Sequence, residues 1–408
     1  MYTTNKDRMT EKIKAFSKFG DLGNGGITRL SLSPEALQAR EEVKKRTEAL
    51  GMEVVTDDIG NIYATLPGEP GLKRIVVGSH VDSVRSGGNY DGIYGVLSGL
   101  EAIETIVTDK IPHRHPLTLM VWTNEEGARF EPALMCSGIV LGKFDKEKMF
   151  ATVEREGTKT FGEALAESGW AGDIKNRLNK DEYCAYFEPH IEQGPVLEEE
   201  GFEIGIVEGV VGMVNYDIIL EGVSSHAGTT PQGYRKDALR AASKIIVDLW
   251  EKLGALDSKL VFTTGQIQCR PNIHTIVPNF VKFSLDSRHQ DMGVLAQVVD
   301  IINNLPKEIY GCKLSFEEHW GRKTISFNDG LIGHIEDASK ALGYSCKRMY
   351  SGAGHDAQYV SEMLPAVMIF IPSKNGLSHT VVEYSSPEQT WHGANVLLNA
   401  MLAADADL

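Results

Sequence analysis

Continuous apolar runs and helix-like patterns alternate along much of the chain. Apolar runs over 75–77, 117–122 and 366–371 are typical of fully buried strands. Residues 94–107 are apolar at the spacing of a helix, and a last helix is expected over about 387–404. Strands that alternate with helices in this way predict an α/β domain whose central sheet is mainly parallel.

A second pattern governs the middle of the chain, where polar and apolar residues alternate as in half-buried strands. It predicts, in order, a strand, a long amphipathic helix, two strands and a second helix, over 215–221, 237–253, 260–268, 280–286 and 293–305. This order favours an antiparallel sheet with two helices on one face, which is an α+β, ferredoxin-like arrangement.

The segment with the second pattern is interpreted as a domain inserted into the α/β domain, because the alternation of buried strands and helices resumes after it. We therefore expect an α/β domain formed by residues 1–212 and 326–408, with an inserted α+β domain over 213–325. A chain of 408 residues is long enough for two domains, each with a sizeable core of its own.

Composition and charge exclude several classes of function. A net charge of −15 argues against a nucleic-acid partner or an anionic membrane surface. No apolar run approaches ~18 residues and the polar N-terminus lacks a signal-peptide core, so no membrane span is expected. The five cysteines are scattered and form no CxxC pair, which suits reduced thiols in the cytoplasm and argues against a cysteine zinc site.

The first apolar run ends in a loop that carries metal-binding residue types. The stretch 75–95, IVVGSHVDSVRSGGNYDGIYG, delivers His80, Asp82 and Asp91 among glycines. Histidine and aspartate both bind divalent metals, and a loop can present both to one site. Taken alone, the stretch also fits a buried histidine–aspartate pair that is only a structural hydrogen-bond unit.

Three further strand ends carry similar residues. Glu125 and Glu126 come just past the run 117–122, His190 lies in the stretch AYFEPHIEQG, and His379 follows the last apolar run. Active sites of open α/β sheets gather at the carboxyl ends of strands. Three histidines with two or three carboxylates suit Zn²⁺, Mn²⁺ or Co²⁺ better than Ca²⁺. A bridging aspartate, with a Glu–Glu pair that supplies both a ligand and a base, predicts a two-metal hydrolase.

Seven stretches, spread over nearly the whole chain, resemble the hydantoinase/carbamoylase-type amidases in sequence and in order. These amidases are a branch of the dinuclear metallopeptidase and aminoacylase superfamily. The matching stretches are GSHVDSV, GGNYDGIYGV, TNEEGARF, EPHIEQGPVLE, SSHAGTTP, SGAGHDA and GLSHT. The combination of NEEGARF, HIEQG and HAGTTP distinguishes this branch from plain peptidases and deacetylases.

The resemblance implies a site for two divalent ions per subunit, with zinc, manganese or cobalt as the metal. His80 and His190 would bind one ion, Glu126 and His379 would bind the other, and Asp91 would bridge the two. The α/β domain would hold this site. The inserted domain would act as a lid and as the dimerisation surface of a homodimer.

The resemblance also implies roles in catalysis. Asp82 would accept a hydrogen bond from His80 and fix its tautomer. Glu125 would be the general base and later the proton donor. His226 would reach from the inserted domain into an active site, usually that of the partner subunit, and polarise the scissile carbonyl. A histidine that merely caps its own loop is the alternative for His226.

Substrate binding is implied for a further set of residues. Arg288 would bind the substrate carboxylate, a bidentate task that suits arginine better than lysine, unless it only forms a surface salt bridge. Gln193 and the backbone of Gly352 and Ala353 would line the pocket.

One position departs from the pattern of the family. Many members have an asparagine where Thr275 stands, three residues before a proline, and that asparagine helps to bind the substrate carboxylate. Here Asn272, His274 or Thr275 must make this contact, or the contact is missing. The departure leaves the metal chemistry intact and bears on the choice of substrate.

The implied reaction is hydrolysis of an N-carbamoyl-L-amino acid to the L-amino acid, ammonia and carbon dioxide. Allantoate amidohydrolase and β-ureidopropionase stay open as alternatives, because the same motifs would serve either reaction on a small ureido carboxylate. A non-catalytic metal-binding or amino-acid-binding protein on the same fold is the alternative from another class. Such a protein would be expected to lack the base or a ligand.

Overall fold

The computed structural model describes all 408 residues apart from the side chain of Trp320. The chain forms two compact units, one made of Met1–Gly209 and Ser326–Leu408, the other of Val210–Ile325. Within the described residues, no helix combines the length and the apolar composition that crossing a lipid bilayer requires.

The strands are β1 (Glu53–Thr56), β2 (Ile62–Leu66), β3 (Arg74–His80), β4 (Leu117–Trp122), β5 (Tyr183–Ile191), β6 (Ile204–Val210), β7 (Gly212–Glu221), β8 (Val261–Thr263), β9 (Ile267–Arg270), β10 (Phe280–His289), β11 (Glu308–Ile309), β12 (Cys312–Arg322), β13 (Ile325–Ser326), β14 (Cys346–Ser351) and β15 (Ala366–Ile371). The α-helices are α1 (Lys6–Phe16), α2 (Pro34–Ala49), α3 (Ile93–Thr108), α4 (Met135–Val140), α5 (Lys146–Phe150), α6 (Phe161–Ser168), α7 (Val196–Glu200), α8 (Ala238–Gly254), α9 (Met292–Asn303), α10 (Asp329–Leu342), α11 (Asp356–Val360) and α12 (Pro387–Asp407).

The first unit is built around a sheet in the order β1-β2-β4-β3-β5-β15-β6-β13, with β14 paired to β6. Strands β4, β3, β5 and β15 are parallel neighbours at its centre. Strands β2 and β6 pair antiparallel to this central group. Every residue of β4 and of β15 is buried, as their continuous apolar runs predict. The expected α/β class with a mainly parallel centre is therefore confirmed.

The second unit contains an antiparallel sheet in the order β11-β12-β7-β10-β8, with β9 also paired to β10. Buried and half-buried residues alternate along β10, which gives the sheet one core face. Ile245 of α8 and Val298 of α9 belong to the same apolar core as Phe283 of β10. Both helices thus cover one face, and the expected α+β class of this segment is confirmed.

The single strand expected over 260–268 was wrong in one respect, because two short strands occupy this segment. Thr263 pairs with Asp286, whereas Ile267 pairs with Phe283. Between these two pairs, the segment 264–266 therefore has one more residue than the segment 284–285 of β10. An extra residue interrupts the hydrogen-bond ladder as a bulge does, and it separates β8 from β9.

Candidate dinuclear metal centre

The predicted metal ligands of the first unit lie at one edge of its sheet. His80 is the last residue of β3, His190 lies near the end of β5, and Glu125 and Glu126 follow β4. His379 lies in the loop after β15. Because these four strands are parallel neighbours, their carboxyl ends coincide and the residues beyond them converge.

Asp91 lies at the centre of this group. Its Oδ1 is 3.2 Å from His190 Nε2 and 3.7 Å from His80 Nε2. Its Oδ2 is 3.3 Å from His379 Nε2, which is also 3.5 Å from Glu126 Oε2. The two clusters formed in this way each keep their ligand atoms within 4.8 Å of one another. Two clusters that share one carboxylate are the arrangement expected for two bridged metal ions.

Main-chain carbonyl groups fix the orientation of the two buried histidines. His80 Nδ1 lies 3.0 Å from the carbonyl oxygen of Asp82, and His190 Nδ1 lies 2.9 Å from that of Ile191. A ring that donates from Nδ1 keeps Nε2 unprotonated when it is neutral. Both Nε2 atoms are directed at Asp91, so the rings already present the atoms that a metal requires.

The carboxylate of Asp82 does not hydrogen-bond to His80, although the main-chain carbonyl of the same residue does. Its Oδ1 is 3.9 Å from His80 Nδ1, too far for a hydrogen bond. It accepts instead from the amides of Glu125, at 3.4 Å, and Glu126, at 3.2 Å. Asp82 therefore ties the loop after β3 to the loop after β4 that carries the two glutamates.

Gly92 ends the loop after β3 that carries Asp91, which is called the metal loop from here on. It permits this loop to approach the rings of His80 and His190 closely. Its φ is +66°, and a Cβ at this position would lie 2.2 Å from the ring of His80. Its N–H also lies 3.2 Å from His190 Nε2. Any side chain here would displace His80 from the site.

The site concentrates negative charge in a buried volume. Burial, and then the carboxylates of Asp356 and Glu126, raise the pKa of Glu125 well above its usual value. Although burial opposes the charge, His190 lowers the pKa of Asp91 well below its usual range. The same pairing, against the effect of burial, raises the pKa of His190 to about 9. Such a group of carboxylates favours cations as its partners.

The donor set fits divalent metal ions. Imidazole nitrogen and carboxylate oxygen together suit zinc, manganese and cobalt. Glu126 Oε1 is buried and, among the residues that the structure describes, has no hydrogen-bond partner. A buried carboxylate oxygen without a donor is costly unless a cation compensates it. The residues present could therefore hold two such ions.

Of the predicted substrate residues in the first unit, Gln193 lies at the centre itself. Its Nε2 donates to Oδ2 of the shared aspartate at 2.7 Å. Gly352 and Ala353 belong to the loop after β14. That loop reaches the centre through His355, whose ring centroid lies 4.5 Å from that of His190.

In the second unit, the structure places His226 and Thr275 side by side. His226 Nδ1 accepts from the amides of Gly228, at 3.0 Å, and Thr229, at 3.2 Å. The proton of the neutral ring therefore resides on Nε2, which becomes a hydrogen-bond donor. The carbonyl oxygen of Thr275 accepts from the amide of Ala227 at 2.9 Å, so the threonine borders the histidine loop.

Arg288 lies on β10 and is paired within its own strand. Its Nε and Nη2 lie 2.8 and 3.2 Å from the two carboxylate oxygens of Asp286. Asn215 of β7 lies 3.4 Å from the same carboxylate. The guanidinium of Arg288 is thus held in a fixed orientation by the sheet.

The other two predicted substrate residues, Asn272 and His274, are exposed in the loop between β9 and β10.

Sequence reasoning missed two buried residues that hold the metal loops. Glu383 accepts from the amides of Tyr90 and Asp91, both at 3.0 Å. Arg29 is 1% exposed and donates to the carbonyl of Val81 at 2.5 Å. A carboxylate soon after the last predicted ligand was a weak signal for Glu383. Arginine is usually exposed, so the sequence carried no signal for Arg29.

The chain is similar to known proteins over nearly its whole length. Residues 76–403 match the sequence model of Peptidase family M20/M25/M40. The chain is 34% identical over 401 residues to an allantoate amidohydrolase of Bacillus subtilis (strain 168), with 97% of each chain covered. It is 34% identical over 404 residues to an N-carbamoyl-L-amino-acid amidohydrolase of Rhizobium meliloti, with 98% of this chain and 96% of that protein covered. A solved amidase of the hydantoinase/carbamoylase family from Burkholderia multivorans superposes with a TM-score of 0.90, at 36% identity and with 98% of each chain covered. The resemblance predicted from the seven stretches is confirmed.

Proposed function

The chain belongs to Peptidase family M20/M25/M40, and we propose that it is a two-metal amidohydrolase of linear ureido carboxylates. It is a hydrolase of C–N bonds other than peptide bonds, in keeping with the names of its relatives. We take an N-carbamoyl-L-amino acid as the substrate, with the L-amino acid, ammonia and carbon dioxide as products. The observation that carries the proposal is Asp91, whose two oxygens face two different sets of ligands.

Two divalent ions, zinc, manganese or cobalt, would be held by the two clusters. His80, Asp91 and His190 would hold one ion, and Asp91, Glu126 and His379 would hold the other. Bound ions of this kind make a water nucleophilic near neutral pH and polarise a carbonyl group. The binding of substrate and the movement of protons are then tasks of the side chains.

Glu125 is proposed as the group that moves the proton. It lies in the loop after β4, is 7% exposed, and has its Oε2 3.4 Å from His80 Nε2. Asp82 holds its amide, which fixes where the side chain begins. A buried carboxylate with a raised pKa accepts a proton from the attacking water and returns it to the leaving nitrogen. Ammonia then departs as a neutral molecule.

His226 is proposed to stabilise the oxygen of the tetrahedral intermediate. Two loop amides occupy its Nδ1, so Nε2–H is the donor that it can offer. A donor fixed before the reaction stabilises developing negative charge without reorganisation. We propose that this histidine serves the active site of the partner subunit.

The substrate carboxylate is assigned to Arg288, with Thr275 near the histidine loop as a further donor. A guanidinium carries five N–H donors and can serve Asp286 and a substrate carboxylate together. The hydroxyl of Thr275 can donate one hydrogen bond, where an asparagine amide would donate two. In the first unit, Gln193 and the backbone of Gly352 and Ala353 would line the pocket at the metal centre.

Allantoate is the second candidate substrate, because a relative named for it is as similar to this chain as one named for N-carbamoyl-L-amino acids. A substrate panel on the metal-reconstituted protein tests the choice, with N-carbamoyl-L-methionine, allantoate and N-carbamoyl-β-alanine compared by kcat/KM. N-carbamoyl-L-methionine is expected to give the highest kcat/KM. Turnover of allantoate alone, or of N-carbamoyl-β-alanine alone, would move the assignment to that reaction. No turnover of any of them, with two ions bound, would favour a binding protein.

We further propose a homodimer formed through the inserted segment. Strand β8 is an edge of the second sheet, and Val261 on it is 62% exposed. On α8, Val247 and Trp250 are one turn apart and each 52% exposed. Trp250 contacts Phe262 of β8 with ring centroids 4.9 Å apart, so the apolar face of α8 borders this edge on the side of the sheet that the helices cover, whereas Val261 lies on the other side. A second copy would cover this edge and this helix face by pairing edge with edge across a two-fold axis.

A cytoplasmic location is proposed from the state of the thiols. All five cysteines are free. Reducing compartments keep thiols free, whereas secreted proteins usually pair them. Fractionation of cells with an antibody against this protein would test the location.

A further inference from the structure

A buried carboxylate outside the ligand set holds the metal loop from behind. Glu383 is 4% exposed and lies in the loop that follows His379. Its Oε1 accepts from the amides of Tyr90 and Asp91, both at 3.0 Å. These are the last two amides before Gly92 begins the turn into α3. Glu383 therefore fixes the main chain at the residue whose side chain both clusters share.

The second oxygen of this carboxylate extends the contact to the side chain. Ser378 Oγ lies 3.0 Å from Glu383 Oε2 and 2.8 Å from Asp91 Oδ2. Ser378 also directly precedes His379 in the chain. One hydroxyl thus lies between the bridging carboxylate and the carboxylate that holds its backbone. The segment that carries the exposed histidine and the loop that carries the bridging aspartate are linked through this pair.

The two segments are packed in direct contact at Gly88. A Cβ at Gly88 would lie 2.3 Å from both Cβ and Oε1 of Glu383. The backbone of the metal loop therefore rests directly on the glutamate side chain. Movement of either segment must displace the other, because interiors are close-packed.

We propose that Glu383, acting with Ser378, is a positioning residue that sets the bridging carboxylate of Asp91 and couples it to the segment of His379. It acts through these groups and is not itself a ligand, because its Oε1 accepts from two amides and its Oε2 lies against the Ser378 hydroxyl. The assignment rests on the proposed two-metal function. Groups that support metal ligands in this way typically change metal affinity when they are removed.

The chain offers a matched control at the opposite end of the sheet. Asp405 is 5% exposed, and its Oδ1 accepts from the amides of Arg114, at 3.0 Å, and His115, at 2.6 Å. It is a buried carboxylate that clamps two consecutive amides, as Glu383 does. Asp405 lies in α12, and the loop whose amides it holds precedes the amino end of β4, whereas the metal centre lies at the carboxyl ends of the strands. Loss of Asp405 should therefore reproduce the structural cost without the effect on the metal.

The test compares Glu383→Ala, Ser378→Ala and Asp405→Ala with the parent protein. Apparent affinities for Zn²⁺ and Co²⁺ are measured by competition with a chromophoric chelator, together with the visible spectrum of the cobalt-loaded proteins and the thermal midpoint. Glu383→Ala is expected to lower the affinity for at least one of the two ions by roughly 10- to 100-fold and to change the visible spectrum of the cobalt-loaded protein. Asp405→Ala is expected to lower the thermal midpoint while leaving the affinities and the spectrum as in the parent.

Two results would overturn the assignment. The first is parental affinities and a parental cobalt spectrum in Glu383→Ala with a lowered thermal midpoint, which would make the residue purely structural. If Glu383→Ala does not fold, Ser378→Ala decides in its place, and unchanged affinities in that variant are the second result. A parent protein that binds fewer than two ions would instead contradict the proposed function itself, and the parental titration shows this independently of the variants.

Discussion

His379 meets Asp91 at Oδ2, with its Nε2 3.3 Å from that oxygen and half of the histidine side chain exposed. The other oxygen of the same carboxylate faces His80 and His190, whose side chains are 1% exposed. One carboxylate thus joins a buried cluster to a cluster that solvent reaches. The loss of the shared ligand and the loss of the exposed ligand should therefore differ in their effects.

Asp91→Ala is expected to lose both ions, whereas His379→Ala is expected to keep close to one ion per subunit. The reason is that the aspartate belongs to both clusters and the histidine to one. Metal content after dialysis against metal-free buffer, determined by plasma mass spectrometry, measures the difference. His319→Ala, a half-exposed histidine of the second unit, is the control and should retain two ions. Full retention of one ion by Asp91→Ala would contradict a bridging role.

His226→Ala should lower kcat by roughly 100- to 1000-fold while leaving the metal content unchanged, because a lost oxyanion donor affects the transition state. Activity assays with metal analysis on the same samples check this. Mixing His226→Ala subunits with Glu125→Gln subunits should restore part of the activity if the histidine serves the partner. Absence of any recovery after verified subunit exchange would place the histidine in the active site of its own subunit.

Trp250→Glu should convert the dimer to a monomer, because it places a charge in the proposed apolar contact. Light scattering coupled to size-exclusion chromatography measures the mass directly. Val153→Glu, which changes an exposed apolar residue of the first unit, is the control. A Trp250→Glu protein that keeps the mass of the parent would exclude this surface as the dimer contact.

The sequence predicted the strands that obey local rules and the residues that lie at their ends. Buried parallel strands are continuous apolar runs, so the ends of β3, β4 and β15 could be placed and the residues beyond them identified. It could not predict the atom of Asp82 that holds His80, because side chain and main chain lie equally near in the chain. It missed Glu383 because its amide partner at Asp91 is 292 positions away and follows no periodic pattern.

Glu101 gives the first unit a pH-dependent element of stability. It is fully buried and accepts from Arg8 and Lys12. Although burial opposes the charge, these cations lower the pKa of Glu101. Its stabilising effect is therefore complete above the unfolded-state pKa of about 4.3, and is lost as the pH falls through the lowered folded-state pKa.

Glu101→Gln should lower the free energy of unfolding by roughly 3 kcal/mol near neutral pH, because Lys12 is left with a weaker set of partners in a buried position. The difference from the parent should narrow below about pH 4. Denaturant titrations of both proteins across this range measure it, and any metal lost at low pH is lost by both. Glu11→Gln, at an exposed position of α1, should show little change. A difference in the free energy of unfolding that does not vary with pH would contradict the stabilising role of the Glu101 charge.

Two bound ions and Glu125 are proposed to hydrolyse a ureido C–N bond together. The most direct measurement is the turnover of N-carbamoyl-L-methionine by the parent protein and by Glu125→Gln, both loaded with metal and both analysed for metal content. Two ions are expected in each protein, with ammonia released by the parent and a rate at least about 100-fold lower in the variant. Equal turnover by the two metal-loaded proteins would contradict this proposal.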